Sequence, residues 1–227
     1  MEEHLSTIQM IAVTALPLVF AIVFHEVAHG WVANKLGDPT ARNMGRLTLN
    51  PLRHIDPFGT VIMPLLLLLL TDGRFIFGYA KPVPINPYNF FKDPKKGMAL
   101  SSLAGPGVNM IMAISFAFVL RVVMPALEGT IPKSAWDWFA VPVGLMFGYG
   151  VIINVVLAVL NMIPVPPLDG SRIVYWLLPD RQAAAYYRLE RFGMLILLVL
   201  LGTGIIARVI TPIIRPILFL LLGENIF

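Results

Sequence analysis

Long apolar stretches alternate along the chain with short polar ones, and the apolar lengths predict the elements. Residues 5–24 carry no charge. Extended through His29, this run is long enough to cross a hydrocarbon core as a helix, which takes about 20 residues. Pro17 predicts a kink in it, and Gly37-Asp38-Pro39 predicts its end. The run 58–70 is apolar but short of a span, so it predicts a re-entrant segment or hairpin arm. Prolines at 82, 84 and 87 forbid a regular helix, so 75–85 predicts an extended, β-like insertion. Residues 98–120 predict a clear span containing Ala104-Gly105-Pro106-Gly107, small residues that allow close helix contact.

The longest uncharged run is 138–168. Its first part, 141–162, predicts a helix with Gly144 and Gly148 spaced for packing. Pro164, Pro166 and Pro167 then break it while the sequence is still apolar. Leu168-Asp169-Gly170-Ser171 follows and predicts a new helix, with Asp169 near its N-terminus. Of the two closing runs, 192–207 and 209–222, the second is interrupted by Arg215 and Pro216 and predicts a last span or a surface-lying segment.

These elements predict an all-α polytopic membrane protein, a transmembrane helix bundle with a short membrane-associated β-like insertion around 75–85. They form a single domain over 1–227, with a core at about 5–178 and C-terminal helices at about 189–222. Composition changes the picture only by excluding rivals. With 57% hydrophobic and 13% charged residues the chain is too apolar for an ordinary soluble domain. The net charge of +4 lies in loops, with no basic tract that suggests nucleic acid. Glu2 and Glu3 stand where a secretory signal would be positive. There is no cysteine, which excludes disulfides and thiolate ligands, so a metal site must draw on His, Asp or Glu.

Nine of the 17 Lys and Arg residues lie between 35 and 96, and four arginines lie between 172 and 191. Basic loops remain cytoplasmic in the usual case. Putting both stretches there requires 58–70 to dip and return, and it brings His29 and Asp169 to the same, cytoplasmic side of a cell membrane.

The candidate chemistry is His25-Glu26-Val27-Ala28-His29 at the end of the first apolar run. On a helix, residues four apart share a face, so His25 and His29 can offer two imidazoles to one metal ion. Glu26 can reach a water held there. Ionisable groups are costly in a bilayer and mark function. Catalytic zinc takes three protein ligands and keeps one position open. For the third, His4 lies at the far end of the helix and His54 in a polar loop, and Asp56, Asp93, Asp169 and Asp180 are on the right side. Asp169 alone follows an apolar, proline-broken stretch, where irregular backbone must be buried in protein or line a wet cavity. Asp169 by itself also fits a helix N-cap, Asn109, Asn154 and Asn161 fit polar bridges between helices, and the 104–107 glycines fit packing.

The sequence resembles the site-2 protease family of intramembrane zinc metalloproteases. Phe24 to Gly30 is similar to its His-Glu-x-x-His-Gly helix, and Asn161-Met162-Ile163-Pro164-Val165-Pro166-Pro167-Leu168-Asp169-Gly170 to its Asn-x-x-Pro-x-Pro-x-Leu-Asp-Gly signature. Ala104-Gly105-Pro106-x-x-Asn109 and Gly78-Tyr79-Ala80-Lys81-Pro82-Val83-Pro84 look like further shared segments, and the likeness covers about 10–178. It implies one zinc ion held by His25, His29 and Asp169, Glu26 as catalytic base and Asn161 as a polar partner near the reacting carbonyl. It implies a transmembrane protein or peptide as substrate, and a minimal, prokaryotic form without the PDZ insertion or regulatory domain of many members.

Two other classes use some of the same residues. A divalent-metal transporter needs ligands but no base beside them, which Glu26 argues against, and a non-catalytic membrane adaptor needs neither motif. The segment 75–85 fits either a strand that adds to an unwound substrate or an ordinary membrane-surface loop.

Overall fold

The computed structural model describes residues 7–72, 77–91 and 93–223, and among them the fold is helical with no strand. The first helix, α1, is Thr7–Lys35 and runs unbroken through Pro17. It ends where expected. Gly37 takes φ +111°, a conformation that favours glycine, and the Asp38 N–H turns back to Ala33 O at 2.9 Å.

Next, α2 spans Pro57–Leu70, a π-helical start of 6 residues followed by 8 of α-helix. Asp56 caps it through Gly59 N–H at 2.7 Å. At about 1.5 Å per residue it reaches about 21 Å, short of a core of roughly 30 Å.

Helix α3 begins at Pro94, four residues before the expected 98, because Asp93 caps it through Lys96 N–H (3.0 Å) with proline at the first position. It runs Pro94–Phe118 and continues through a π turn to Leu127. Helix α4 is Trp136–Asn161, regular from Val141. After the proline-broken turn come α5 (Gly170–Leu177), α6 (Asp180–Tyr187), α7 (Gly193–Gly202) and α8 (Ile205–Leu222). The last break is at Gly204, whose φ of +73° stops α7, and not at Arg208, which sits inside α8. A charge was the weaker boundary signal, and the left-handed glycine set the turn.

Among the described residues, four helices are long and apolar enough to cross a membrane: Gln9–Lys35, Pro94–Leu127, Trp136–Asn161 and Ile205–Leu222. The protein is a multi-pass membrane protein, and α8 qualifies as a span although Pro212, Arg215 and Pro216 lie within it. Helices α1, α3 and α4 pack on one another, α5 packs on α3, and α8 lies along α4. Ala113, Ala117, Val151, Val155, Ile214 and Leu218 form the core where α3, α4 and α8 meet. Large residues such as Phe20, Ile111, Phe118 and Leu220 face outward, which lipid does not penalise.

The close-packing glycine of α4 is Gly150, whose Cα faces the Phe116 ring, and not Gly148, which has open space beside it. The part of the 75–85 insertion that is described, from Phe77 on, has neither helix nor strand; residues 75 and 76 lie outside the described residues. It is held by Tyr79 N–H to Gly59 O (3.0 Å) and Lys81 N–H to His54 O (2.9 Å). Those bonds tie it to the start of α2 and the turn before it, and Val83 N–H joins it to Glu26 on α1.

Candidate metal centre

Three side chains from distant parts of the sequence converge. His25 and His29 leave α1 one turn apart, and Asp169 arrives from the residue before α5. Asp169 Oδ2 lies 3.2 Å from His25 Nε2 and 3.4 Å from His29 Nε2. Both histidines are buried, each 8% exposed. The N-cap alternative for Asp169 fails: its backbone is already helical (φ −58°, ψ −38°) and its side chain caps nothing.

The other ring nitrogens determine what these atoms are. His29 Nδ1 lies 2.7 Å from Ser101 O, a carbonyl that only accepts, so Nδ1 carries the proton. His25 Nδ1 lies 2.6 Å from Asn109 Oδ1. The orientation of that amide follows from its neighbours. Asn154 Nδ2 donates to Gly150 O (2.8 Å), so Asn154 Oδ1 accepts from Asn109 Nδ2 (2.7 Å), which also donates to Ala21 O (3.1 Å). Asn109 Oδ1 is therefore the acceptor, and His25 Nδ1 donates to it. In neutral rings both Nε2 atoms are then lone pairs.

Asp169 Oδ2 is buried with no hydrogen-bond donor. Three acceptor atoms thus lie within 4.8 Å of one another, an arrangement that calls for a cation. Two imidazoles and one carboxylate fit zinc with an open position.

Helix α3 builds the support. Its Met98, Ser102, Gly105 and Asn109 recur at helical spacing on one face. A methyl group on Gly105 would overlap the His29 and His25 rings, so glycine here makes room for the two imidazoles. Gly170 does the same beside Asp169, where a Cβ would collide with Met162 O. Asn109 and Asn154, both 0% exposed, do bridge helices as expected, but their bridge also orients His25. Asn109, Asn154, Ser101 and Gly105 were given no chemical role from the sequence; for Gly105 and Asn109 the shared segment 104–109 and the helical spacing 98, 102, 105, 109 were the available signals, and for Asn154 and Ser101 there was none.

The three side chains face a cavity of about 630 Å³, also lined by Glu26, Asn161, Ser102, Tyr79, Val83 and Arg172. Glu26 Oε2 accepts Val83 N–H at 2.8 Å, so the 77–86 segment touches it directly. Asn161 faces the same cavity with one amide N–H bonded to Leu157 O (3.0 Å). His54 is elsewhere, its Nε2 on Thr48 O at 2.9 Å, and Asp180 pairs with Lys95 at 2.6 Å. Asp56 and Asp93 are helix caps.

A second polar cluster holds the segment in place. Asp38, fully buried after α1, accepts from Asn86 N–H (2.7 Å), Asn89 Nδ2 (2.8 Å) and both Thr40 groups. Burial alone raises the Asp38 pKa, but these hydrogen bonds outweigh it and hold the carboxyl below the usual range. On the other side Arg46, also buried, donates to Lys81 O at 2.9 Å.

A helical membrane bundle with a buried two-histidine, one-aspartate cluster beside a glutamate defines a class, the membrane metalloprotease. The chain belongs to that class as a member of peptidase family M50, the site-2 protease family; the family's profile matches residues 130–202. It is 38% identical over 198 residues to YwhC of Bacillus subtilis (strain 168), a protein named as a candidate zinc metalloprotease, covering 87% of this chain and 84% of that one. Rip2 of Mycolicibacterium smegmatis, named likewise, is 27% identical over 84% of this chain and 66% of its own. MJ0611 of Methanocaldococcus jannaschii, also so named, is 29% identical over 68% of this chain and 64% of its own. No solved structure matches the chain significantly.

Proposed function

We propose that this metalloprotease is an intramembrane zinc enzyme that hydrolyses peptide bonds of transmembrane substrates, with one ion held by His25, His29 and Asp169. The observation that carries the reading is the trio of buried acceptors, with Asp169 Oδ2 lacking any donor. Zinc bound there supplies a lowered pKa for its water and polarisation of the scissile carbonyl.

The chain's own residues supply the rest. Glu26 has one oxygen on Val83 N–H, and its other oxygen can take the proton of the attacking water and return it to the leaving amine. Asn161 has a second amide N–H that can donate to the carbonyl oxygen as negative charge develops.

A helical substrate hides its carbonyls in its own hydrogen bonds and must unwind to be cut. The 77–86 segment can pair with the unwound strand. Its N–H groups at Tyr79, Lys81 and Val83 are already bonded within the chain, so pairing uses Gly78 and Ala80. The charge distribution supports a cell-membrane location with the site toward the cytoplasm. The bacterial and archaeal sources of the relatives support a prokaryotic origin.

The test is cleavage of a single-span peptide by purified protein in detergent, with bound metal quantified. Glu26→Gln is expected to keep the metal and lose cleavage, and Asp169→Ala to lose both. Undiminished cleavage by Glu26→Gln would remove the assigned base.

A further inference from the structure

An unwound substrate brings a specific problem into the cavity. Each peptide unit released from its helix carries a donor and an acceptor, and leaving either unpaired in an apolar site is costly. Acceptors for substrate N–H groups are plentiful, since Glu26 and Asp169 both line the cavity. Donors for substrate carbonyls are fewer, and those already named have their tasks: the second Asn161 N–H serves the reacting carbonyl, and Gly78 and Ala80 pair with the unwound strand from the 77–86 segment. Arg172 is engaged by Glu190, and Asn161 has spent one N–H on Leu157.

Ser102 offers a further donor, on the α3 wall. It is 6% exposed and lines the cavity, yet its hydroxyl has no hydrogen-bond partner among the described residues. Its neighbour shows what a helical serine does otherwise: Ser101 Oγ turns back to Gly97 O (2.9 Å) and Met98 O (3.0 Å). Ser102 lies on the α3 face that carries Gly105 and Asn109, three residues, roughly 4.5 Å, along the axis from the glycine that abuts both imidazoles. That position shares the cavity wall with the three converging acceptors without being one of them.

We propose that Ser102 Oγ donates a hydrogen bond to a backbone carbonyl of the unwound substrate, next to the bond being cut. The inference rests on the intramembrane protease reading and adds a residue that positions the substrate through its main chain. Such a contact does not depend on the substrate's side chains. It favours any sequence that can unwind, and it is formed only once the local helix has opened.

The test uses the full chain in detergent and a labelled, Leu/Ala-rich single-span peptide with two central glycines. Bound metal, kcat/KM and peptide affinity are measured for wild type, Ser102→Ala and Ser102→Thr. Affinity is read in a Glu26→Gln background, where the peptide stays intact. Ser102→Ala, which leaves no partner orphaned inside the protein, is expected to keep full metal content and lose on the order of tenfold in both kcat/KM and affinity. Ser102→Thr, which retains the hydroxyl, is expected to remain within about threefold of wild type.

The proposal is overturned if Ser102→Ala matches wild type in both readouts. It is also overturned if Ala and Thr fall equally, which means packing, or if Ala loses metal, which means a structural role. Should wild type leave the peptide uncut, the substrate reading fails separately. The affinity measurement still decides Ser102, by a loss on Ala that Thr restores or by no change.

Discussion

Two polar networks flank the candidate-site cavity, and they are built from opposite materials. The inner one, between α1, α3 and α4, contains only neutral amides and backbone carbonyls: Asn109, Asn154, Ala21 O, Gly150 O and Ser101 O. The outer one, at the end of α1, centres on the Asp38 carboxylate and the Arg46 guanidinium. The inner network orients the candidate ligands, and the outer one holds the 77–86 segment that touches Glu26.

The difference follows from the surroundings. Deep in a bilayer an ion without a partner is too costly, whereas amides satisfy one another in a closed chain. Near the membrane surface a carboxylate can afford its charge and draws several donors to one point. The groups that orient the candidate ligands therefore do not titrate, whereas the carboxylate that places the covering segment does.

The largest effect is expected where the inner region has no room. Gly105→Ala drives a methyl group into both imidazoles, and we expect loss of most bound metal and of cleavage. Gly107→Ala, two residues on with open space beside it, is expected to leave both intact and to raise thermal stability by up to about 1 kcal/mol, the helical Gly-to-Ala gain. Metal analysis and melting curves of the pair separate site crowding from helix propensity, and equal behaviour would remove the role given to Gly105.

Next comes the amide relay itself. Asn109→Leu leaves His25 Nδ1 without its acceptor, and metal affinity is expected to fall about 10- to 100-fold, as for other residues that orient ligands. Chelator competition measures it. An unchanged affinity would mean that the inner network is only packing.

The outer network is expected to show a smaller effect of a different kind. Asp38→Asn puts an amide NH2 against groups that already donate. Metal content should stay near wild type while cleavage falls about tenfold, the scale set by a small misplacement of the catalytic geometry. Acid should mimic the substitution. Because the folded pKa of Asp38 is depressed, its contribution to stability is fully present above the unfolded-state value and is lost as pH falls through the folded one. The gap in melting temperature between wild type and Asp38→Asn should therefore be wide at neutral pH and close below about pH 4. A gap that persists in acid would exclude the carboxylate as its source.

Much of this architecture was legible in the chain. Four of its apolar runs became helices able to span, the stop at Gly37 held, and the proline-broken stretch did deliver Asp169 beside the histidines. Boundaries were less legible. Asp93 started α3 early, and Gly204 divided the C-terminal helices. In each case a single capping or left-handed residue outweighed the extent of the apolar run.

The sequence by itself determined which chemistry the protein can perform. His-Glu-x-x-His spacing is a local property of one helix, and hydrophobic length is a local property of each run, so both are written where they act. Only the tertiary structure decided what keeps that chemistry in order. The Asn109–Asn154 relay, the space at Gly105, the Asp38 clamp and the free hydroxyl of Ser102 are relations between helices. An asparagine or a serine in an apolar run reads the same whatever it meets, because its meaning depends on which acceptor or donor another helix brings within about 3 Å.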